Sequence, residues 1–240
     1  MMPGATLTRD EVVKDLAVAS LSGTLVLFVG AGFSKALTGG AAPTWGQLLQ
    51  SVAQDLGLED PLRDPAKIVG SSFPRIASDM ALRLARDVAD EGRFKGSSPL
   101  EQHAEAVRRI KMAVAAKTTL APDGSVRANF SEVFKKLDPR ALVTTNYDFI
   151  VESCLEHSET LLPDQVVRAR RGCIPVFHLH GHLLHPDSIV LLESDYVRAL
   201  NHGEYGQGAD PPRTPIDRVI GRRASRRFPL DESATAAAHG

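Results

Sequence analysis

The sequence predicts an α/β fold: a three-layer, Rossmann-like parallel sheet with a helical insertion and a disordered C-terminal tail. Three observations predict it. The continuous apolar run Thr24-Leu25-Val26-Leu27-Phe28-Val29 breaks at Gly30-Ala31-Gly32 and opens a helix. A long helical stretch follows, and a second apolar run, Arg140-Ala141-Leu142-Val143-Thr144-Thr145, again hands over to a helix. Shorter β-rich runs come after it, which is the element order of an open, doubly wound sheet. A chain of 240 residues can bury one sizeable core, or a core with a small inserted subdomain.

Taken in order, residues 8–20 read as a short amphipathic helix, with Val12, Val13, Leu16 and Ala17 at helical spacing after Thr8. The run at 24–29 lacks alternation, which suits a central strand buried on both faces. A helix starts near Phe33. The next begins at Thr44, whose hydroxyl caps it while Gln47 completes a capping box. Trp45, Leu48, Leu49, Val52 and Leu56 form its apolar stripe, and Gly57 is its stop. Residues 75–91 and 99–118 read as two helices of mixed charge, and Phe130–Leu137 as another, capped by Asn129 or Ser131. This all-helical middle, about 58–138, is expected to be an inserted lid or cap. Tyr147–His157 reads as a helix with Phe149, Ile150 and Leu155 toward the core. Val166-Val167, Ile174 to His178 and Ile189 to Leu192 are the shorter β-rich runs. The domain is expected to span 1–202. Beyond it, residues such as Gly203, Gly206, Pro211 and Pro215 cannot bury a core, so 203–240 is expected to be a disordered tail. Its arginines, Arg222, Arg223, Arg226 and Arg227, are solvated charge or a contact for phosphate.

Composition excludes several classes. The net charge is -1, so no overall field draws nucleic acid or an acidic membrane, and direct nucleic-acid binding is not expected. Cys154 and Cys173 are the only cysteines; they cannot build a four-thiolate zinc site, and their sparsity fits a reducing cytosol. The start of the chain lacks a basic segment followed by an apolar core, and the longest apolar stretch, Leu25 to Val29, is far short of a span. The expectation is a cytoplasmic protein with no membrane partner.

Three segments carry chemistry. At Gly30-Ala31-Gly32-Phe33-Ser34 a strand ends in G-x-G and opens a helix, so bare backbone can approach a pyrophosphate at a helix N-terminus. The third glycine of G-x-G-x-x-G is absent, Lys35 standing there, and Asp55 falls inside a helix rather than at a strand end. A tight turn with no ligand is the other reading. At Thr144-Thr145-Asn146-Tyr147-Asp148 a strand meets the next helix at the carboxyl edge, where open sheets bind ligands. The competing reading is that Asn146 or Thr145 caps that helix and Asp148 favours its positive end. At His178-Leu179-His180-Gly181-His182, strand alternation would put the three histidines on one side. No carboxylate or cysteine stands at ligand spacing, so no metal is expected. His180 is then a structural histidine or a base working near neutral pH.

Together, in this order and spacing, the three segments resemble the sirtuin superfamily, specifically its bacterial sirtuin-like NAD-hydrolase branch of anti-phage defence systems. Gly30–Ser34 looks like that superfamily's GAG-x-S loop, Thr145-Asn146-Tyr147-Asp148 is similar to its T-x-N-x-D segment, and His180-Gly181 to its HG motif. Leu191-Leu192-Glu193-Ser194-Asp195-Tyr196 resembles a segment found downstream of HG, and the resemblance covers roughly 20–200. It implies NAD as the bound substrate, held at Gly30, by the amides of Ala31, Gly32 and Phe33, by the Ser34 hydroxyl and by Thr145. It implies that Asn146 holds the nicotinamide ribose and positions a water, that Asp148 supports the pocket, and that His180 is the general base.

The departures are specific. Deacylating sirtuins carry a zinc ribbon, which two cysteines cannot form, and their arginine-bearing loop is replaced by Gly39-Gly40-Ala41-Ala42-Pro43-Thr44-Trp45. Further sheet and a second nucleotide-contacting loop normally follow the Glu-Ser-Asp-Tyr segment, and nothing at 203–240 reads that way. A truncated, frame-shifted or subunit-completed chain is therefore expected. The function implied is hydrolysis of NAD to nicotinamide and ADP-ribose, depleting NAD in anti-phage defence, with a defence-system partner or a second copy as possible partners. The rivals are an NAD- or ADP-ribose-sensing module and, disfavoured by the missing ribbon, an NAD-dependent protein deacylase.

Overall fold

A computed structural model describes residues 8–64, 71–163 and 170–201. The run at Val166-Val167 and the tail expected at 203–240 lie outside the described residues. Four strands, β1 (Val26–Val29), β2 (Ala141–Thr144), β3 (Ser158–Leu161) and β4 (Ile174–His178), form one sheet in the order β1-β2-β4-β3. Every pairing is parallel, and helices flank the sheet, as the sequence predicts.

β2 and β4 are the inner strands, and all four residues of β2 are buried. β1 departs from expectation: among the described residues it pairs with β2 alone, and Phe28 is 67% exposed. A continuous apolar run reports the preference for a strand, not the number of neighbours the strand finds. β3 went unpredicted because Ser158, Glu159 and Thr160 are polar and half-buried, the pattern of a sheet edge.

Among the helices, α1 (Arg9–Leu21) forms behind a capping box between Thr8 and Glu11. None of its residues is buried; Ser20 at its end donates to Leu137 O at 2.7 Å. α2 (Ala31–Leu37) begins at the break after β1, earlier than Phe33. In α3 (Trp45–Asp55) the expected capping box is present: Gln47 N–H donates to Thr44 Oγ1 at 3.4 Å, and Thr44 N–H to Gln47 Oε1 at 2.9 Å. α4 (Phe73–Asp90) and α5 (Pro99–Lys117) match the two expected helices closely. α6 (Gly124–Leu137) starts well before Phe130, because Asp123 Oδ1 accepts from the amides of Ser125 and Val126; neither Asn129 nor Ser131 caps it.

Two further expectations are corrected. The helix at Tyr147–His157 shrinks to α7 (Ile150–Ser153). The carbonyls ahead of it are committed sideways: Tyr147 O accepts from Leu183 N–H at 2.9 Å, and Asn146 O from the His178 ring at 2.8 Å. Ile189 to Leu192 is buried but not a strand. Val190 N–H donates to His180 O at 2.8 Å, while Leu191 and Leu192 amides donate to Asp195 Oδ2 at 3.1 and 3.0 Å. Asp195 opens α8 (Glu193–Asn201).

The core divides by layer. Val29, Leu142 and Val176 meet α2, α6 and α7 through Leu37, Phe134 and Ile150 on one face of the sheet. α3, α4 and α5 build a separate core around Leu49, Val52, Ala77, Met80 and Ile110. That core continues into Tyr147, Leu183 and Ile189, so the helical layer sits on the segments that leave β2 and β4. Lys111 of α5, itself buried, bonds Asp195 at 2.9 Å. Among the described residues, no helix is long and apolar enough to cross a membrane.

Candidate active site

The site follows from sheet register. Val29 pairs with Thr144, and Thr144 with His178, so β1, β2 and β4 end in one row. Gly30–Ser34, Thr145–Asp148 and Leu179–His182 therefore leave the carboxyl edge from a common level. Main-chain bonds lace the last two segments together: Leu179 N–H donates to Thr144 O at 2.8 Å, beside the Leu183–Tyr147 bond.

Ser34 joins the first segment to the second. Its hydroxyl donates to Asp148 Oδ1 at 3.0 Å and accepts from Asn146 Nδ2 at 2.8 Å; the same Nδ2 donates to Gly30 O at 3.1 Å. Both amide protons of Asn146 are thus committed, and no described residue bonds its Oδ1, which is left as an acceptor. Ser34, the expected ligand-contacting hydroxyl, is 1% exposed and works as a bracket. The capping role expected of Asn146 or Thr145 is not seen: Asp148 Oδ1 instead accepts from Ile150 N–H at 3.1 Å. Burial raises the Asp148 pKa, opposed by the Ile150 and Ser34 bonds and by the charge of His178.

The Phe33 amide closes the first turn of α2 by donating to Gly30 O at 2.9 Å, and its ring packs against Phe130 and Phe134. It anchors the loop rather than facing a ligand. Ala31 and Gly32 are exposed first-turn residues whose amides have no carbonyl one turn back. A Cβ built on Gly30 or Gly32 meets nothing within 4 Å, and neither residue has a positive φ. The fold itself does not require glycine at either position. A cavity of about 70 Å³ opens beside them, its wall including Ala31, Ser34, Trp45, Thr145, Asn146 and Asp148.

The three histidines do not share one side. β4 ends at His178 and the chain turns at Gly181, so His178 and His182 are buried with ring centroids 4.6 Å apart. His180 alone is half-exposed, its ring 5.4 Å from Tyr196 and 6.5 Å from Trp45. Trp45 lines the cavity; His180 stands behind it and is not part of the cavity wall. Burial lowers the His180 pKa below the usual histidine value, leaving a neutral ring at neutral pH.

The sequence expectation that the histidines lack a carboxylate is corrected. Glu152 of α7 reaches His178 Nε2 at 2.7 Å, and one atom each from Glu152, His178 and His182 lies within 4.8 Å of the others. The protons speak against a ligand set for a cation. Leu184 N–H donates to His182 Nδ1 at 3.2 Å, which leaves the proton on Nε2, and His178 Nε2 is already bonded to Glu152. Burial opposes ionisation of Glu152, but the bond and charge of His178 outweigh it and lower its pKa. Within the cluster Glu152 and His178 bond each other, and His182 Nε2 is buried with no hydrogen-bond partner among the described residues. Sequence reasoning missed Glu152, Trp45 and Tyr196, since no spacing in the chain reports which loops the sheet brings together.

Residues 140–226 match the SIR2-like domain family. The SIR2-like stretch includes Thr145–Asp148 and His178–Gly181, lies outside Gly30–Ser34, and runs past the domain limit of 202 expected from sequence. No curated protein matches the chain.

Proposed function

We propose that this chain hydrolyses NAD at the nicotinamide–ribose bond, releasing nicotinamide and ADP-ribose. The observation that carries the reading is Asn146: its amide protons are fixed on Gly30 O and Ser34 Oγ, and its Oδ1 is left free on a cavity wall beside two glycines the fold does not need. The match of residues 140–226 to a SIR2-like domain supports NAD as the substrate.

The chemistry asks little of the protein beyond placement. Nicotinamide leaves as a neutral molecule from a cationic pyridinium, so no acid is needed, and the ribose carbon becomes oxocarbenium-like. Water adds to that carbon and loses one proton. Asn146 Oδ1 would accept from a ribose hydroxyl or the attacking water, and neutral His180 would take the proton. Gly30, Ala31 and Gly32 would let the pyrophosphate run over bare backbone. Thr145 and Asp148 complete the wall. Sustained turnover would deplete cellular NAD, the outcome suited to anti-phage defence.

Incubating purified protein with NAD and resolving the products by chromatography tests the reading: nicotinamide and ADP-ribose should rise together. A folded protein that leaves NAD intact overturns it. The alternative is an NAD- or ADP-ribose-sensing module, which would bind its ligand at the same cavity without cleaving it. Calorimetric binding without turnover would identify that case.

A further inference from the structure

We infer that Glu152 and His178 are positioning residues for Asn146: the carboxylate fixes the imidazole so that its Nδ1–H holds the Asn146 carbonyl, and with it the turn that presents the Asn146 amide. The functional arm of this inference rests on the NAD-cleavage reading.

The protons follow from the partners. A carbonyl only accepts, so the 2.8 Å contact of His178 Nδ1 with Asn146 O requires the proton on Nδ1. The opposite nitrogen meets Glu152 Oε1 at 2.7 Å, and that oxygen also accepts from Thr160 Oγ1 at 2.9 Å. The His178 side chain is 0% exposed, so no solvent competes for either ring nitrogen. A path of side-chain bonds thus runs from β3 through α7 to the end of β4, and stops on the turn after β2.

Asn146 is gripped at every other point as well. Its N–H donates to Thr144 Oγ1 at 3.0 Å, and both side-chain protons are taken. Oδ1 alone is left to act. The Nδ2 bonds orient that atom within the side chain, and His178, which holds the carbonyl, fixes the backbone from which the side chain is presented. A displacement of about 1 Å in a reacting group lowers rates on the order of a hundredfold.

The test separates position from packing. His178→Leu removes the donor and should lower kcat on the order of a hundredfold with KM little changed. His178→Asn sets an Nδ2–H near the place of Nδ1–H and should restore most of kcat. Both lose the Glu152 bond and should melt at similarly reduced temperatures. Equal kcat losses in the two variants would overturn the inference, because a packing role makes activity follow stability. Should His178→Leu fail to fold, Glu152→Leu and Glu152→Gln take the places of the Leu and Asn variants. The glutamine amide can donate to both His178 Nε2 and Thr160 Oγ1, which leaves the ring proton on Nδ1, so Glu152→Gln should stay near wild type while Glu152→Leu loses rate. Equal losses in that pair overturn the inference too. Hydrogen exchange at the Asn146 amide gives a readout independent of turnover: faster in the two Leu variants, unchanged in the conservative ones. If the wild type releases no nicotinamide, the NAD reading fails and exchange alone decides. Unchanged Asn146 protection in the Leu variants would then overturn the clamp.

Discussion

The turn after β1 and the turn after β4 both carry glycine at the end of a parallel strand, and the two differ in what the glycine is for. At Gly181 φ is +81°, and a Cβ would lie 2.1 Å from Ser188 O. The backbone of the molecule itself fills the space. At Gly30 and Gly32 φ is unremarkable and a Cβ would point into open space. One turn needs glycine to fold; the other has room for something that is not protein. In sequence the two turns look alike, and only the neighbours distinguish them.

The largest effect should come from Gly181→Ala. Left-handed backbone costs about 1–2 kcal/mol in a residue with a Cβ, and forced overpacking adds about 1–3 kcal/mol. At roughly 2–4 °C per kcal/mol for a chain of this size, thermal melting should fall by several degrees or more, with activity lost alongside. A normal melt would show that Ser188 moves aside freely, and the contrast between the turns would collapse.

His180→Ala comes next and should leave the melt near wild type while lowering NAD cleavage on the order of 10²- to 10⁴-fold. The sign of its pH dependence is fixed by burial. A base whose pKa is depressed stays neutral as pH falls through the ordinary histidine range, so the acid limb of kcat/KM should lie below 6.5. An acid limb at or above 6.5 would assign the base elsewhere.

Asn146→Asp should reduce cleavage by about a hundred- to thousandfold. It should also lower the melting temperature. A carboxylate at this position faces Gly30 O and Ser34 without either proton and sits close to Asp148. Activity retained at full melting temperature would mean that the Ser34 bracket is dispensable.

Gly32→Ala sharpens the comparison most, though its effect on stability is small. Alanine in a helical turn should stabilise by about 0.5–1 kcal/mol, while a methyl group over the open backbone should weaken NAD binding. Improved melting with unchanged KM would return the turn to a purely structural one. Smallest of all, EDTA should leave turnover unchanged. Activity lost in chelator and regained with zinc would reassign Glu152, His178 and His182 as ligands.

Much of this was legible in the chain. The strands β1 and β2, the capping box at Thr44 and the helices α4 and α5 are local signals, and each appears where local chemistry places it. The losses are non-local. Tyr147 to Phe149 has helical character, but the Tyr147 carbonyl is claimed by Leu183 and that of Asn146, just before it, by His178, from segments that sequence spacing does not connect to them. Ile189 to Leu192 has the composition of a strand, yet its last two amides go to a carboxylate, Asp195, and the first two to the carbonyls of Pro186 and His180. Of the site, Asn146, Asp148 and Ser34 were visible as motif residues, but their bonds to one another were not. The sequence suggested groups that touch a ligand; two of them, Ser34 and Phe33, turn out instead to brace Asn146 and Asp148 and to anchor the loop.

The row formed by Val29, Thr144 and His178 has a consequence for how such a chain tolerates change. Ser34 and Asp148 bond although 114 residues separate them, and the length of that connection is invisible to the site. Loops between β1 and β2 can therefore lengthen or shorten over evolutionary time without disturbing the site. The strands have no such freedom. One residue added within β2 would advance its end by about 3.3 Å and turn each following side chain to the opposite face. Indels should accumulate in the loops of the helical layer and be purged from the four residues before Thr145, so that the most conservative ruler in the molecule is a strand only four residues long.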